Sequence, residues 1–421
     1  MPKVSIILTS FNHAKYLREA IDSALNQTFT DFELIIWDDA SIDESWGIIQ
    51  SYNDSRIKTF RNDEQRRGIY GINKAISEIA QGEYIAIHHS DDVWLPEKLE
   101  KQITFLDTHP DVGAVFTNAQ AIDEEGNSFP DKNHFYYKIF DQPNRSRYEW
   151  LRYFFEKGNA LCHPSILIRK QCYDNCGLYR YGLAQIGDLD MWVRLCLKYE
   201  IYVLPEKLVR FRVRNNEANT SGQKPETEIR GQYEFYHVLS NYKTIIDRQE
   251  LVKIFPYASK YESDKLSPEY TLARVALEVK NFRAHEVLGL NIIFDLLNID
   301  SAEKIYKDMS CEYIELTGQQ DIYGLNSIRM ASLQCKEQID ALTEWAASAD
   351  TYAKSKVEEA RQLKEQIDAL TEWATSADIY AKSKEEEVRQ LEGEVGSLKD
   401  KLELYQRHWI FKVFPQSKPG A

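Results

Sequence analysis

The chain has 421 residues, which is long for one domain and suggests two or three folding units. Hydrophobic residues make up 43% and charged residues 28%, so a filled core is expected and general disorder is not. The net charge of -14 argues against a nucleic-acid partner, because such proteins normally present a basic surface. Short apolar runs, a start without signal-peptide features and sparse, scattered cysteines predict a cytoplasmic protein with reduced thiols and no membrane-spanning segment.

Residues 4 to 117 alternate short apolar runs with amphipathic stretches. The runs 4–8, 34–37, 57–60, 84–87 and 112–116 are predicted strands. Helices are predicted over 17–25, 44–52 and 70–80, and after Pro96. This alternation is typical of an α/β domain with a mostly parallel sheet flanked by helices. Ligands of such sheets bind beyond the carboxyl ends of the strands, so the residues that follow each strand are the candidates for function.

The remainder of the chain falls into further regions. Residues 118–222 are more irregular, with strands and a helix near 189–199, and we assign them to the first domain, 1–222. Residues 223–330 are predicted to be a helical region, and they contain no motif from which we can derive a chemistry. A coiled coil is predicted over 336–405, followed by an apolar and basic tail, 406–421.

The predicted coiled coil carries an internal repeat. The segment KEQIDALTEWA begins at Lys336 and returns at Lys364, 28 residues or four heptads later. A heptad that starts at Ile339 places mainly apolar residues at its a and d positions, although Lys356 and Lys384 occupy d positions. One continuous helix would form a rod of roughly 100 Å. The pattern favours a homo-oligomer joined through these helices, and a single solvated helix is the alternative.

The tail combines large apolar residues with cations. Five large apolar residues occupy positions 409–414, and Arg407, His408 and Lys412 lie beside them. The segment is too short to span a bilayer, but its composition suits a lipid interface. Two interpretations remain open, namely peripheral contact at the inner face of the cell membrane and packing against the rod or the helical region.

Three segments of the first domain together resemble the family 2 glycosyltransferases. These segments are VSIILTSFNHAKYLREAIDSALNQTFTDFELIIWDDAS from Val4, GEYIAIHHSDDVWLPEKL from Gly82 and IGDLDMWVRL from Ile186. They are similar to the family's nucleotide-binding stretch, its aspartate motif and its catalytic-base segment, in that order. The resemblance covers about residues 1–222 and implies a GT-A fold and inverting transfer from a nucleotide sugar. It also implies a glycan or lipid-linked acceptor in surface polysaccharide synthesis.

Asp91 and Asp92 follow the fourth predicted strand. Two carboxylates there would repel an anionic diphosphate, and a hard cation such as Mg²⁺ or Mn²⁺ would convert the repulsion into attraction. By resemblance, Asp92 would touch the metal and Asp91 the ribose or the surroundings of the metal. His89 stands where many family members have another acidic residue, which leaves fewer carboxylates for the metal. The alternative is that Ser90, Asp91 or Asp92 caps the helix after Pro96.

Asp38 and Asp39 follow the second predicted strand. The resemblance implies that Asp39 accepts a hydrogen bond from N3–H of uracil or thymine, which favours a UDP or dTDP donor. Thr9 and Phe11 would line the same pocket. The residues alone are equally compatible with a turn and helix cap before 41–46, and adjacent residues could serve both roles.

Several arginines are candidates for the nucleotide side of the site. Arg67 would face the nucleotide in the family pattern, and Arg66 competes for that assignment. Arg212 and Arg214 would approach the diphosphate from a terminal flap, although a solvated strand face explains them equally well.

Asp188 is the predicted general base. An inverting transfer needs a carboxylate that takes the proton of the acceptor hydroxyl, and such a base typically contributes ~10²–10⁴ in rate. Asp190 would point about 200° away on a helix and is assigned a structural role. On the acceptor side His163 is a second-rank candidate, with a structural histidine as the alternative. Trp192 would belong either to the core or to the acceptor wall.

Two other classes of protein compete with this interpretation. One is a catalytically inactive nucleotide-binding oligomeric scaffold. The other is a sugar nucleotidyltransferase, which would usually carry a Gly-rich basic loop where this chain has TSFNH from Thr9. No residue excludes a retaining mechanism.

Overall fold

A computed structural model describes residues 1–222, 224–261, 267–299, 309–319, 325–348, 354–377 and 392–404. The chain divides into two compact units, Met1–Ser310 and Cys311–Ala421. Across these described ranges, every helix is too short or too polar to cross a membrane. The six cysteines are free thiols, in agreement with the sequence interpretation.

The first unit is built on an eight-stranded sheet. Its strands are β1 (Val4–Ser10), β2 (Phe32–Asp38), β3 (Ile57–Arg61), β4 (Tyr84–His89), β5 (Val93–Trp94), β6 (Val112–Ile122), β7 (Leu167–Arg169) and β8 (Glu200–Arg212). Their order in space is β3-β2-β1-β4-β7-β6-β8-β5. Strands β3, β2, β1 and β4 pair in parallel, whereas β7 and β5 run antiparallel to their neighbours. The α/β prediction is confirmed, and the sheet is parallel in its N-terminal half and mixed beyond it.

Helices cover the sheet and continue beyond it. They are α1 (Ala14–Leu25), α2 (Ser45–Gln50), α3 (Gly68–Lys74), α4 (Lys98–Thr108), α5 (Arg147–Lys157), α6 (Lys170–Cys176), α7 (Gly187–Cys196), α8 (Pro225–Leu239), α9 (Arg248–Ile254), α10 (Pro268–Val279) and α11 (Arg283–Leu297). A π-helical turn, Ala75–Ile79, extends α3. Each helix predicted before residue 117 is present, because its apolar residues recur at the helical period and pack on the sheet.

The central strands are buried on both faces. Residues of β1, β2 and β4 form near-continuous apolar runs, and Leu17 and Ile21 of α1 are completely buried against them. Continuous burial is what a parallel sheet with helices on both sides requires. The polar residues that end these strands therefore belong to the edge where the strands stop.

The helical region after residue 222 packs on the first domain. Tyr242 donates a hydrogen bond from its hydroxyl to the carbonyl of Leu151 in α5, over 2.6 Å. His285 of α11 lies 2.8 Å from the carbonyl of Phe155, and the two rings are in contact. These buried contacts join residues 225–261 and 267–297 to the sheet in one compact unit.

The second unit consists of helices, of which the last three fold back on one another. They are α12 (Met309–Gln319), which begins just before the unit, α13 (Leu325–Ser348), α14 (Lys354–Ala377) and α15 (392–404). Ile339, Ile367 and Val395, all predicted a positions, pack together within one chain. In one straight helix Ile339 and Ile367 would lie about 42 Å apart, so the prediction of a single continuous rod is wrong. The predicted tail, 406–421, lies outside the described residues.

Candidate active site

Acidic segments meet at one edge of the sheet. Ser10 of β1 lies beside Asp38 of β2, and Thr9 lies beside His89 of β4 in the strand register. Asp39 follows β2 directly, and Asp91 and Asp92 follow β4 after one intervening serine. The structure thus brings together the segments that were selected from the sequence, because parallel strands end at a common edge.

Asp39 is held rigidly at this edge. Its side chain is buried, and its Oδ1 accepts hydrogen bonds from Asn62 Nδ2 at 2.6 Å and from the backbone amide of Arg66 at 2.8 Å. Asn62 is itself oriented by the Trp37 ring nitrogen, which donates to Asn62 Oδ1 over 2.9 Å. The sequence analysis missed Asn62, because a single asparagine after a strand is also typical of an ordinary turn.

Asp38 stabilises the turn after β2, which was the structural alternative given for the Asp38–Asp39 pair. It is fully buried, and its two carboxylate oxygens accept from the hydroxyl of Ser41 at 2.5 Å and from the amide of Ser41 at 3.0 Å. Arg61 Nε lies 3.3 Å from the same carboxylate. Asp38 therefore closes the turn after β2, and Asp39 is the member of the pair that is available to a ligand.

Backbone strain is concentrated around the same edge. Asn12, Ala40 and Arg67 have φ angles of 53°, 61° and 68°, a region that residues other than glycine seldom adopt. Each follows or precedes an element that ends at the site, and strain of this kind persists only where surrounding contacts impose it. Asn12 is held by such a contact, because its side-chain Oδ1 accepts a hydrogen bond from the backbone amide of Ile42 over 2.9 Å.

The other predicted nucleotide-side residues differ in burial and in their contacts. Thr9 and Phe11 are half-buried, and a side chain added at Gly68 would lie 3.5 Å from Thr9 Oγ1. Arg67 is exposed immediately before α3, whereas the guanidinium of Arg66 stacks over Tyr70 at 5.0 Å. Both side chains are exposed, so the assignment of Arg67 rather than Arg66 to the nucleotide stays a prediction.

His89, Asp91 and Asp92 form a compact group of possible metal ligands. One ligand atom from each residue lies within 4.8 Å of the other two. Asp92 Oδ2 is buried without a hydrogen-bond partner, and its neighbour His89 Nδ1 lies 3.4 Å away. Neither aspartate caps α4, because that helix begins at Lys98 after Glu97. An unpartnered carboxylate oxygen beside two further ligands fits a divalent cation.

The structure adds His89 to the two aspartates selected from the sequence. The sequence interpretation noted only that a histidine here leaves fewer carboxylates for a metal, and a ring nitrogen of His89 lies within 4.8 Å of ligand oxygens of Asp91 and Asp92. Its Nε2 lies 3.2 Å from His163 Nδ1, and His163 Nε2 lies 2.9 Å from the hydroxyl of Tyr179. Burial lowers the pKa of His89, but the carboxylates of Asp92 and Asp91 outweigh it and leave the pKa raised. The group thus contains three converging side chains rather than two.

A basic side chain stands beside the carboxylates. Arg214 Nη1 lies 2.9 Å from His13 Nε2, and His13 Nδ1 lies 2.7 Å from Ser90 Oγ. Because arginine only donates, His13 Nε2 is the acceptor and Nδ1 carries the proton that is donated to Ser90. Burial lowers the pKa of His13, which agrees with this neutral form. Arg214 Nε is buried without a hydrogen-bond partner, so the guanidinium retains a donor for an anion.

Arg212 has a different role. Its guanidinium is 1% exposed and donates to the carbonyls of Asp91, Asp123 and Glu124 at 2.8 to 2.9 Å. Its backbone amide donates to Asp92 Oδ1 over 2.7 Å. Arg212 therefore fixes the Asp91–Asp92 segment from behind, and both interpretations of Arg212 from the sequence, diphosphate contact and solvated face, are wrong.

Asp188 lies at the start of α7 and is half-buried. Its Oδ2 accepts from Asn159 Nδ2 at 2.7 Å, and its Oδ1 accepts from the amide of Leu189 at 2.8 Å. Burial raises the pKa of Asp188 to about 6, although these hydrogen bonds and the positive charge of His89 oppose the shift. The sequence analysis did not select Asn159, because it lies far from Asp188 in the chain.

Asp190 is structural, as predicted from its position on the helix. It is completely buried, and it accepts from Arg180 Nη1 at 2.9 Å, from Arg194 Nε at 2.8 Å and from Asn241 Nδ2 at 2.9 Å. Every direction of its carboxylate is thus occupied by the protein itself. Asp188 is the aspartate of this segment that is left for chemistry.

Of the two second-rank acceptor-side residues, Trp192 lies in the core and His163 is half-buried beside it. Trp192 is completely buried and packs edge-on against Phe116, with ring centroids 4.9 Å apart, so it belongs to the core and not to an acceptor wall. His163 touches both Trp192 and His89. Burial and the neighbouring His89 hold the pKa of His163 well below its usual range, so it is a neutral partner of His89.

Comparison with known proteins identifies the class. The family described as Glycosyl transferase family 2 matches residues 5–173, which include all but the first residue of β1, the whole of β4 with His89, and Asp91 and Asp92 after it. A putative teichuronic acid biosynthesis glycosyltransferase of Bacillus subtilis, TuaG, is 40% identical over 226 residues, which are 53% of this chain and 84% of the relative. The protein is a glycosyltransferase. It belongs to glycosyl transferase family 2.

Two further relatives extend the comparison. The putative glycosyltransferase EpsE of Bacillus subtilis is 31% identical over 217 residues, 50% of this chain and 73% of the relative. An Escherichia coli enzyme, UDP-Glc:alpha-D-GlcNAc-diphosphoundecaprenol beta-1,3-glucosyltransferase WfaP, is 40% identical over 108 residues, 26% of this chain and 43% of the relative.

Proposed function

We propose that this glycosyltransferase is metal-dependent and inverting, and that it moves a sugar from UDP or dTDP to a hydroxyl of a glycan or lipid-linked acceptor. The observation that carries the proposal is that a single carboxylate, Asp188, lies near a separate group of possible metal ligands, His89, Asp91 and Asp92. Asp188 is half-buried with a pKa raised to about 6, and the His89–Asp91–Asp92 group lies close enough for the charge of His89 to affect that pKa. One site suits a base, and the other suits a cation that holds a diphosphate.

Asp188 would take the proton of the acceptor hydroxyl. As that proton moves to the carboxylate, the acceptor oxygen forms a bond to the anomeric carbon, and the bond from that carbon to the diphosphate breaks on the opposite face. The diphosphate leaves with the bonding pair, so the configuration inverts. Asn159 holds one oxygen of Asp188 and leaves the carboxylate oriented for this transfer.

His89, Asp91 and Asp92 would hold Mn²⁺ or Mg²⁺, which supplies charge stabilisation for the departing diphosphate. Burial and the negative charge of Asp92 raise the pKa of Asp91, and this like-charge repulsion is relieved by a cation. With a metal at His89 Nδ1, the outer Nε2–H of His89 would donate to His163 Nδ1, 3.2 Å away, and this contact would orient the ring, as partners of metal-bound imidazoles usually do. Arg214, with an unpartnered Nε, would contact the diphosphate.

The donor and acceptor classes rest on Asp39 and on the relatives. The carboxylate of Asp39 can accept from N3–H of uracil or thymine, beside half-buried Thr9 and Phe11. The name of the Escherichia coli relative specifies a UDP-Glc donor and a diphosphoundecaprenol-linked acceptor, and the TuaG name specifies teichuronic acid synthesis. These names favour a surface polysaccharide or its lipid-linked precursor as the acceptor class. With such an acceptor, the enzyme would act at the inner face of the cell membrane.

A donor screen tests the proposal directly. Purified protein is incubated with Mn²⁺ and a panel of UDP-, dTDP- and GDP-sugars, and release of nucleoside diphosphate by slow hydrolysis is measured. We expect release from a UDP- or dTDP-sugar, and its loss when EDTA is added. Binding of nucleotide without release from any donor would favour the inactive scaffold instead.

The raised pKa of Asp188 predicts an acid limb in the pH profile. Because the base must be ionised, turnover should fall tenfold per pH unit below about 6, rather than below the ordinary range of a carboxyl group. The measurement is kcat against pH at saturating donor and Mn²⁺, so that protonation of His89 does not limit metal binding. A profile that stays flat to pH 5 would contradict the assignment.

Self-association through the second unit remains a prediction. Ile339, Ile367 and Val395 already pack within one chain, but Met330, Leu333 and Leu404 remain 57%, 46% and 69% exposed on the same helices. We expect full-length protein to sediment as an oligomer, and a chain ending at Ile328 to sediment as a monomer that still hydrolyses donor. A monomeric full-length chain at micromolar concentration would mean that the packing within one chain is sufficient.

A further inference from the structure

A buried carboxylate from the helical region binds the loop that leads to Asp188. Glu234 lies on α8 and is 2% exposed. Its Oε1 accepts from the amide of Ala184 at 2.8 Å, and its Oε2 accepts from the amides of Gln185 and Ile186 at 2.8 and 3.0 Å. Three consecutive backbone N–H groups therefore converge on one side chain that is about fifty residues away in the sequence.

These hydrogen bonds end where α7 begins. Ile186 is the residue before the helix, Gly187 is its first residue and Asp188 its second. The carbonyl of Ile186 also accepts from the amide of Asp190 over 3.2 Å, so the position of Ile186 sets the first turn. Charge-assisted bonds from a carboxylate to several amides are stronger and more directional than neutral ones. Glu234 thus determines where the backbone that carries Asp188 lies.

The same loop is tied to the donor side. Gln185 Nε2 donates to the carbonyl of Thr220 at 2.8 Å, in the segment that follows Arg214. In that segment Asn219 accepts from the amide of Arg214 at 2.8 Å. A displacement of residues 184–186 would therefore move both Asp188 and the segment that holds Arg214.

We propose that Glu234 is a positioning residue for glycosyl transfer, and that the catalytic unit includes α8 rather than ending at residue 222. The inference rests on the proposed role of Asp188 as the base. Glu234 acts through three amides and does not touch the reacting groups. Its carboxylate fixes the entry to α7, so that Asp188 meets the acceptor hydroxyl at bonding distance. The helical region, which carried no recognisable motif in the sequence, then contributes directly to the rate.

The test uses the full chain and the donor that is hydrolysed fastest in the panel described above. In Glu234→Gln an amide nitrogen replaces one acceptor and faces backbone donors, so the loop must shift. We expect kcat for nucleoside diphosphate release to fall about 10- to 100-fold, the size of effect expected from misplacing a catalytic group by about 1 Å. The KM for the donor and the affinity for UDP with Mn²⁺ should stay within about twofold, because Asp39 and the metal-ligand group are unchanged.

Glu228→Gln is the matched control. Glu228 lies on the same helix and is exposed, so its loss should leave kcat and the melting temperature unchanged. If Glu234→Gln cannot be purified in folded form, Glu234→Asp gives the same comparison, because it keeps the charge but shortens the reach to the loop. That variant should also lower kcat with unchanged UDP affinity.

A double substitution separates positioning from general structural support. If Glu234 acts through Asp188, adding Glu234→Gln to Asp188→Asn should lower turnover no further. Full additivity of the two losses, an unchanged kcat in Glu234→Gln, or a loss of UDP affinity as large as the loss of kcat would overturn the inference. An undiminished turnover in Asp188→Asn alone would instead overturn the proposed base itself.

Discussion

Replacing Asp188 with Asn should lower turnover by ~10²–10⁴ while leaving UDP affinity nearly unchanged. The amide can still accept from Asn159 or from Leu189, so the local structure survives, but it cannot take the proton of the acceptor hydroxyl. Single-turnover or steady-state release of nucleoside diphosphate measures the effect on rate, and calorimetry with UDP and Mn²⁺ measures the effect on binding. The acid limb near pH 6 should disappear in the variant.

Two other aspartates, Asp174 and Asp190, serve as controls for this substitution. Asp174→Asn changes an exposed residue of α6 and should have no effect on rate or stability. Asp190→Asn should chiefly reduce stability, because Arg194 would lose a buried ion-pair partner at 2.8 Å. If Asp190→Asn lowered turnover more than Asp188→Asn in folded protein, the assignment of the base within this segment would be wrong.

Asp92→Asn should abolish the metal-dependent part of UDP or dTDP binding. The substitution removes the charge on the buried, unpartnered Oδ2, while the remaining carbonyl oxygen can still accept from the amide of Arg212. The fold should therefore persist, and the melting temperature without ligand should stay close to that of the wild type. Calorimetry with and without Mn²⁺ measures the loss.

The matched variant is Asp111→Asn, which neutralises an exposed aspartate just before the amino end of β6 and should leave binding unchanged. His89→Ala adds a second test of the ligand group. It should weaken Mn²⁺ binding without removing either carboxylate. Unchanged UDP binding by wild-type protein in EDTA would refute the metal site as a whole.

The elements that carry the site were accessible from the sequence, because they depend on local patterns. Apolar runs of strand length followed by acidic residues predicted β1, β2 and β4, and their ends form the observed edge. The helical spacing between Asp188 and Asp190 correctly separated an available carboxylate from a buried one. In both cases a period of two or 3.6 residues decides which way a side chain points, and the period can be read without knowledge of the fold.

The partners of these residues could not be predicted in the same way. Asn62, Asn159 and Glu234 reach the site from distant parts of the chain, and each is an ordinary polar residue in its local context. The sequence showed that His89 stands in place of a carboxylate, but its place in a motif says nothing about where its ring nitrogens point. Sequence separation of twenty to fifty residues hides a hydrogen bond that becomes obvious once the chain is folded.

The C-terminal repeat shows the same difference between what local sequence predicts and what the tertiary structure decides. The 28-residue repeat correctly indicated helices with Ile339 and Ile367 on the apolar face, because amphipathicity is a property of each helix alone. It could not show whether that face meets a second chain or the next helix of the same chain, since both bury the same residues. Family membership and the acidic residues at the strand ends followed from sequence. The grouping of His89 with Asp91 and Asp92, the orientation of Asp188 and the folding back of the C-terminal helices depend on contacts that only the folded chain creates.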